Sequence, residues 1–150
     1  MHLWIDADAC PVVDIAIRIA AKHGVEVTLV CDDAHHMQRG GARTITVARG
    51  ADSADLMLVK LVSRGDAVVT QDYGLAALCL ARGAKPLDQN GRIYHEGNID
   101  SLLGMRHVAK KVRRGGGRLK GPPKRTKEQD EWFAQALERV LTDACGEAEQ

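Results

Sequence analysis

Apolar residues along this chain fall into two kinds of run. Leu3–Ile5, Val25–Val30 and Ala67–Val69 are short and largely continuous. Strands covered on both faces have that pattern, whereas a half-exposed strand alternates. Longer runs follow a helical period. After Pro11, at a first helical position, Asp14, Arg18 and Lys22 recur every four residues while Val12, Ile15, Ala16 and Ile19 line the other side, which predicts an amphipathic helix.

Three successive segments repeat one layout of apolar helix, cation, glycine and short β-type run. They are Arg18–His23, Gly24, then Val25–Val30; Leu56–Arg64, Gly65, then Ala67–Thr70; and Leu75–Arg82, Gly83, then Ala84–Leu87. A glycine just past a helix adopts the left-handed conformation at little cost, and a cation in the last turn suits the helix dipole. The layout therefore marks helix-to-strand transitions. Repeated βαβ units with right-handed crossovers give a mostly parallel sheet between helices, a three-layer α/β/α domain.

The rest of the chain is read from its punctuation. A loop containing His35 and His36 precedes a strand at Thr44–Val47, and Gln89-Asn90-Gly91-Arg92 reads as a turn. Asn98 is a cap for a helix from about Ile99 to Val112, after which Gly115-Gly116-Gly117 and Gly121-Pro122-Pro123 exclude regular structure. Thr126-Lys127-Glu128-Gln129 has capping-box spacing, and Trp132, Phe133, Ala136, Leu137, Val140 and Leu141 follow at helical intervals. That stripe predicts a last helix docked on the core, with Trp132 and Phe133 packed inward rather than serving as a base-stacking platform. The division is a core over residues 1–105, a basic flexible segment over 106–127 and a C-terminal helix over 128–145, in one domain overall.

Composition narrows the class. The 150 residues are 45% hydrophobic, 27% charged and only 3% aromatic, the balance of a globular domain with an aliphatic core. The longest apolar run, Gly74–Ala81, is far below the roughly 18 residues that cross a bilayer. No secretory leader is evident, so the expected location is the cytoplasm without membrane association. Cys10, Cys31, Cys79 and Cys145 lack disulfide or zinc spacing and read as reduced thiols.

The net charge of +1 conceals a strong division. Residues 1–105 carry ten Lys/Arg against thirteen Asp/Glu, residues 106–127 carry ten Lys/Arg and no acid, and residues 128–150 carry one Arg and seven acids. The basic block either lies solvated against the acidic tail or binds a polyanion. Arg106, Lys110, Lys111, Arg113, Arg114, Arg118 and Lys120 are the candidate nucleic-acid contacts.

Candidate chemistry lies in carboxylates after strands. Asp6 and Asp8 follow the first strand, and two residues apart in extended chain they point to one side. Asp52 and Asp55 sit three apart at the start of a helix, and Asp72 follows Ala67–Thr70. All five can reach the crevice beyond the carboxyl ends of a parallel sheet. Converging carboxylates repel, whereas a hard divalent cation such as Mg²⁺ favours oxygen ligands of this kind, and phosphodiester hydrolysis is the reaction that fits. Each acid alone also reads as a helix cap: Asp8 before Pro11, Asp52 with Asp55, and Asp72 before the next helix. Asp66 begins a strand and lies at the opposite end, and Asp14 belongs to the polar stripe of its helix.

Asp6-Ala7-Asp8-Ala9-Cys10-Pro11-Val12, Gly50-Ala51-Asp52-Ser53-Ala54-Asp55, and Val69-Thr70-Gln71-Asp72 with Leu75-Ala76 resemble, in that order, three motif segments of the bacterial YaiI/YqxD family. Asn98-Ile99, Arg106 and the Phe133 helix follow it too, while Tyr73-Gly74 and Asp88-Gln89-Asn90-Gly91 depart from it. The resemblance implies a PIN-like or NYN-type domain, a class of Mg²⁺ or Mn²⁺ nucleases acting mostly on RNA. Asp6, Asp52 and Asp72 are then the metal ligands, with Asp8 and Asp55 matching further family acids.

Two other functions compete with a metal-dependent ribonuclease. Asp6-Ala7-Asp8 is also the Asp-x-Asp of a haloacid-dehalogenase-type phosphatase with Asp6 as nucleophile, although that motif looks for Thr or Val where Cys10 stands. A non-catalytic RNA-binding or regulatory protein would keep the basic segment without needing the acids.

Overall fold

The computed structural model of the chain describes residues 1–8, 10–32, 39–48, 53–104 and 124–148, apart from the side chains of 53 and 144–148. Its strands are β1 (His2–Asp6), β2 (Glu26–Asp32), β3 (Arg43–Val47), β4 (Ala67–Val69) and β5 (Lys85–Leu87). The helices are α1 (Val13–Lys22), α2 (Ser53–Leu61), α3 (Tyr73–Ala81), α4 (residues 96–104) and α5 (Lys127–Ala148). The strands form one sheet in the order β3-β2-β1-β4-β5, and every pairing in it is parallel. Pro86 sits in the edge strand β5, where its missing N–H is tolerated.

The two faces of the sheet separate by residue parity. Leu3, Ile5, Val27, Leu29, Ala67 and Val69 join α1 and α5 in one core, which holds Phe133, Leu137 and Leu141. Val30 and Val68, with Trp4 packed alongside, join Leu58, Val62, Leu75 and Cys79 in the other, under α2 and α3. This is the three-layer α/β/α architecture, and double coverage explains why β2 is buried along nearly its whole length. Gly24, Gly65 and Gly83 have φ of 66°, 87° and 82°, so all three predicted helix-to-strand passages use the left-handed conformation.

Pro11 precedes α1 rather than opening it, since the helix begins at Val13 with Val12 as its N-cap, and two further details differ from expectation. The helix expected from Ile99 begins at residue 96. Asn98 lies inside its first turn and reaches back to accept the His95 N–H at 2.9 Å, while His95 Nδ1 accepts the Gly97 N–H at 3.0 Å. This is the reciprocal geometry of a capping box, with the imidazole in place of a hydroxyl. The second difference concerns Trp132 and Phe133. Phe133 is 0% exposed but Trp132 is 53% exposed, because neighbours on a helix point about 100° apart and cannot both face one core.

The last helix is fastened at its start and near its middle. Thr126 and Gln129 form the expected capping box, with the Gln129 side chain accepting the Thr126 N–H at 2.8 Å and Thr126 Oγ1 accepting the Gln129 N–H at 3.3 Å. Near the middle of α5, Glu138 meets Lys22 at 3.1 Å and His23 at 2.8 Å, at the end of α1. These two partners, His23 first, hold the Glu138 carboxyl below its ordinary range.

Candidate active site

In the strand order β3-β2-β1-β4-β5 the connections leave β1 and β4 in opposite directions, so the crevice beyond their carboxyl ends is the switch point of the sheet. Asp6 is the last residue of β1 and has the parity of Trp4, which directs it to the face covered by α2 and α3. Thr70 follows β4 with the parity of Val68. Its hydroxyl donates to Asp6 Oδ2 at 3.0 Å and accepts the Asp72 N–H at 3.0 Å. The buried Tyr94 hydroxyl donates to the Thr70 carbonyl at 3.2 Å.

Asp72 is the N-cap of α3, and its Oδ1 accepts the Leu75 N–H at 3.1 Å. Asp55 lies in the first turn of α2, which packs under the same face. Asp8 lies beyond β1, where the two-residue strand period no longer applies. Its two carboxylate oxygens take the Asp32 N–H at 3.3 and 3.2 Å, across the end of β2.

Electrostatics ties the four together. The Asp6 carboxyl is pushed up to about 6, first by burial and then by the charges of Asp55, Asp8 and Asp72, against the lowering effect of the Thr70 hydrogen bond. The crevice therefore concentrates negative charge around a half-buried carboxylate. Among the described residues, no three His, Cys, Asp or Glu side chains are close enough together to hold a metal ion. Asp52 lies outside the described residues, as do Arg106, Lys110, Lys111, Arg113, Arg114, Arg118 and Lys120, and His35 and His36.

The family model described as the uncharacterised YaiI/YqxD family matches residues 4–143. The chain belongs to the YaiI/YqxD family. A UPF0178 protein of Exiguobacterium sibiricum is 54% identical over 143 residues, covering 95% of this chain and 98% of that protein. A UPF0178 protein of Ruminiclostridium cellulolyticum is 50% identical over 137 residues, covering 91% and 90%. Among solved structures, the W164L mutant of Rae1 (YacP) from Bacillus subtilis is similar with a TM-score of 0.43 and 16% identity, over 96% of this chain and 99% of that one. No described helix is long and apolar enough to cross a membrane.

Sequence reasoning missed Thr70, which links Asp6 to Asp72. A threonine after a strand signals only β propensity, and its bridging role needs β1 and β4 to be neighbours. Tyr94 was missed for the same reason. Burial pushes the Cys10 thiol up to about 11, which keeps it protonated at neutral pH.

Proposed function

We propose that this chain is a metal-dependent nuclease that hydrolyses phosphodiester bonds, with RNA as the substrate class. The observation that carries the reading is the meeting of Asp6 and Asp72 across the Thr70 hydroxyl at the switch point of the sheet, where burial and the charges of Asp55, Asp8 and Asp72 also push the Asp6 carboxyl up. A structural carboxylate is normally matched by donors or cations. Here Asp6 faces carboxylates from separate elements that oppose its ionisation.

The donor set fits a hard divalent cation such as Mg²⁺ or Mn²⁺, because every acid is an oxygen ligand and a cation would relieve the mutual repulsion. Asp6 and Asp72 would hold it, together with Asp52 on the family resemblance. Such an ion supplies charge stabilisation at the phosphoryl group and a lowered pKa for attacking water. The chain's own part is positional. The Thr70 hydroxyl fixes both Asp6, by donating to its carboxylate, and Asp72, by accepting its backbone N–H, Tyr94 anchors Thr70 through its carbonyl, and Asp8 or Asp55 orients a water and accepts its proton. The cations of residues 106–127 draw in the phosphate backbone, in keeping with the ten Lys/Arg and no acid of that segment.

The deciding experiment compares the purified protein with Asp6→Asn and Asp72→Asn on pooled single-stranded and structured RNA and DNA, with Mg²⁺, Mn²⁺ or EDTA. Cleavage by the wild type alone, dependent on metal, is expected. Equal cleavage by the double variant would refute the assignment. An aspartyl-phosphate trapped on Asp6 would move it to the phosphatase reading, and metal-independent binding without cleavage would move it to the RNA-binding reading.

A further inference from the structure

The outward Trp132 is not an isolated apolar residue. It lines an open cleft of about 720 Å³ with Tyr73, Asp88, Asn90, Gly91 and Arg92, a size within the roughly 300–1,000 Å³ of small-molecule sites. Tyr73 immediately follows Asp72, so one end of the cleft begins where the acidic crevice ends. Its ring meets Tyr94 edge-on at 5.9 Å, and Tyr94 in turn holds Thr70.

The opposite wall is built rather than loose. Asp88 Oδ1 accepts the N–H groups of Asn90 at 2.8 Å and Arg92 at 2.9 Å, which shapes the turn after β5. Gly91, with φ of 87°, lies against α5 so closely that a Cβ there would come within 2.5 Å of the Trp132 carbonyl oxygen. Arg125 then ties the turn to the helix, donating to the Gln89 carbonyl, to Asn90 Oδ1 at 2.8 Å and to Asp130 Oδ1 at 2.6 Å. One guanidinium and one missing side chain thus fix the turn carrying Arg92 beside the helix carrying Trp132.

We propose that this cleft is a stacking subsite for an unpaired nucleobase, with Trp132 and Tyr73 supplying aromatic faces and Arg92 the cation for the adjoining phosphate. Aromatic platforms interleaved with a cation are how single strands are gripped without regard to sequence. A base inside a duplex is already stacked on its neighbours, so the subsite accepts only nucleotides free of pairing. The inference rests on the nuclease reading for its placement: a strand whose phosphate enters the crevice at Asp72 meets Tyr73 next. It adds a substrate preference, for unpaired over double-stranded segments.

The test is fluorescence anisotropy with a labelled short oligoadenylate and a duplex of equal length, in EDTA, on the full chain. Trp132→Ala is expected to weaken oligoadenylate binding roughly 5- to 150-fold, with duplex binding changed less than about twofold. Trp132→Phe keeps most of the affinity, and Tyr73→Ala falls between. Trp132 is exposed, so an unchanged thermal midpoint verifies that the variants fold. Arg92→Ala lowers the salt dependence by about one phosphate contact, a slope change near 0.7. The subsite is refuted by oligoadenylate binding unaffected in Trp132→Ala, by equal losses on single strand and duplex, or by no binding in the wild type. Binding that needs Trp132 in a protein that never cleaves with Mg²⁺ or Mn²⁺ would refute the nuclease reading and leave the subsite standing. Normal cleavage and binding by Trp132→Ala would refute the subsite alone.

Discussion

The two ends of the sheet treat the same side chain in opposite ways. At the amino end, Asp66 is buried and takes three N–H donors, from the His2 backbone at 3.0 Å, the Trp4 indole at 3.0 Å and the Ser63 backbone at 2.9 Å. At the carboxyl end, Asp6 receives one hydroxyl among the described residues and faces the charges of Asp55, Asp8 and Asp72. The first carboxylate closes a structural joint between β1 and the turn before β4. The second is kept at a disadvantage that only a proton or a cation relieves. An acid is therefore read by its surroundings, and being buried does not by itself mark it as functional or structural.

The largest effect expected from breaking this contrast is at Asp66. Asp66→Ala leaves three donors without their acceptor and should cost about 3 kcal/mol or more, seen as a lowered midpoint in urea unfolding. Asp6→Asn should act in the opposite direction. The Asp6 pKa rises from an ordinary 3.8 to about 6 on folding, so its contribution is fully favourable below about pH 4 and is lost as pH climbs through 6. Metal-free Asp6→Asn is then more stable than the wild type by about 2–3 kcal/mol at pH 7.5, with the difference vanishing near pH 4. Thermal unfolding in EDTA across that range checks both sign and window; a wild type more stable than the variant at pH 7.5 would break the contrast.

Adding Mg²⁺ or Mn²⁺ sharpens it. At ten times its dissociation constant, a cation that binds only the folded wild type stabilises it by about 1.4 kcal/mol, an increment Asp6→Asn should lack in calorimetry. The smallest effect is at the bridge between the acids. Thr70→Val removes the donor to Asp6 and the acceptor for the Asp72 N–H, at a cost of about 1 kcal/mol. Asp6 should titrate still higher in that variant, followed by NMR of its carboxyl carbon. A downward movement would show that the hydroxyl does not favour the ionised form.

Much of this arrangement is legible in the residue order, because its causes are local. Cation-glycine exits at Gly24, Gly65 and Gly83 and continuous apolar strands required only neighbouring residues, and they yielded the parallel layers. The opposite roles of Asp66 and Asp6 followed from which end of a strand each occupies. What stayed hidden depends on residues distant in sequence. Thr70 meets Asp6 across 64 positions, and Arg125, one of the ten cations of the basic block, serves a turn 35 residues away. Asp8 likewise takes the Asp32 N–H, a partner 24 positions away. The chain leaves extended geometry after Asp6, and the carboxylate turns to the end of β2.

Phe133, Leu137 and Leu141 cover a sheet whose strands all lie earlier in the chain. During synthesis the strands can pair before this cover exists, leaving the part of the aliphatic face beyond α1 bare on the nascent polypeptide until α5 emerges. The cleft wall that Arg125 and Trp132 complete arrives at the same late moment. Translation thus sets the order of events: a ribosome-bound intermediate would carry the acids of β1 and β4 in place well before it could grip a strand, and a chain stopped short of α5 would be sticky before it was competent.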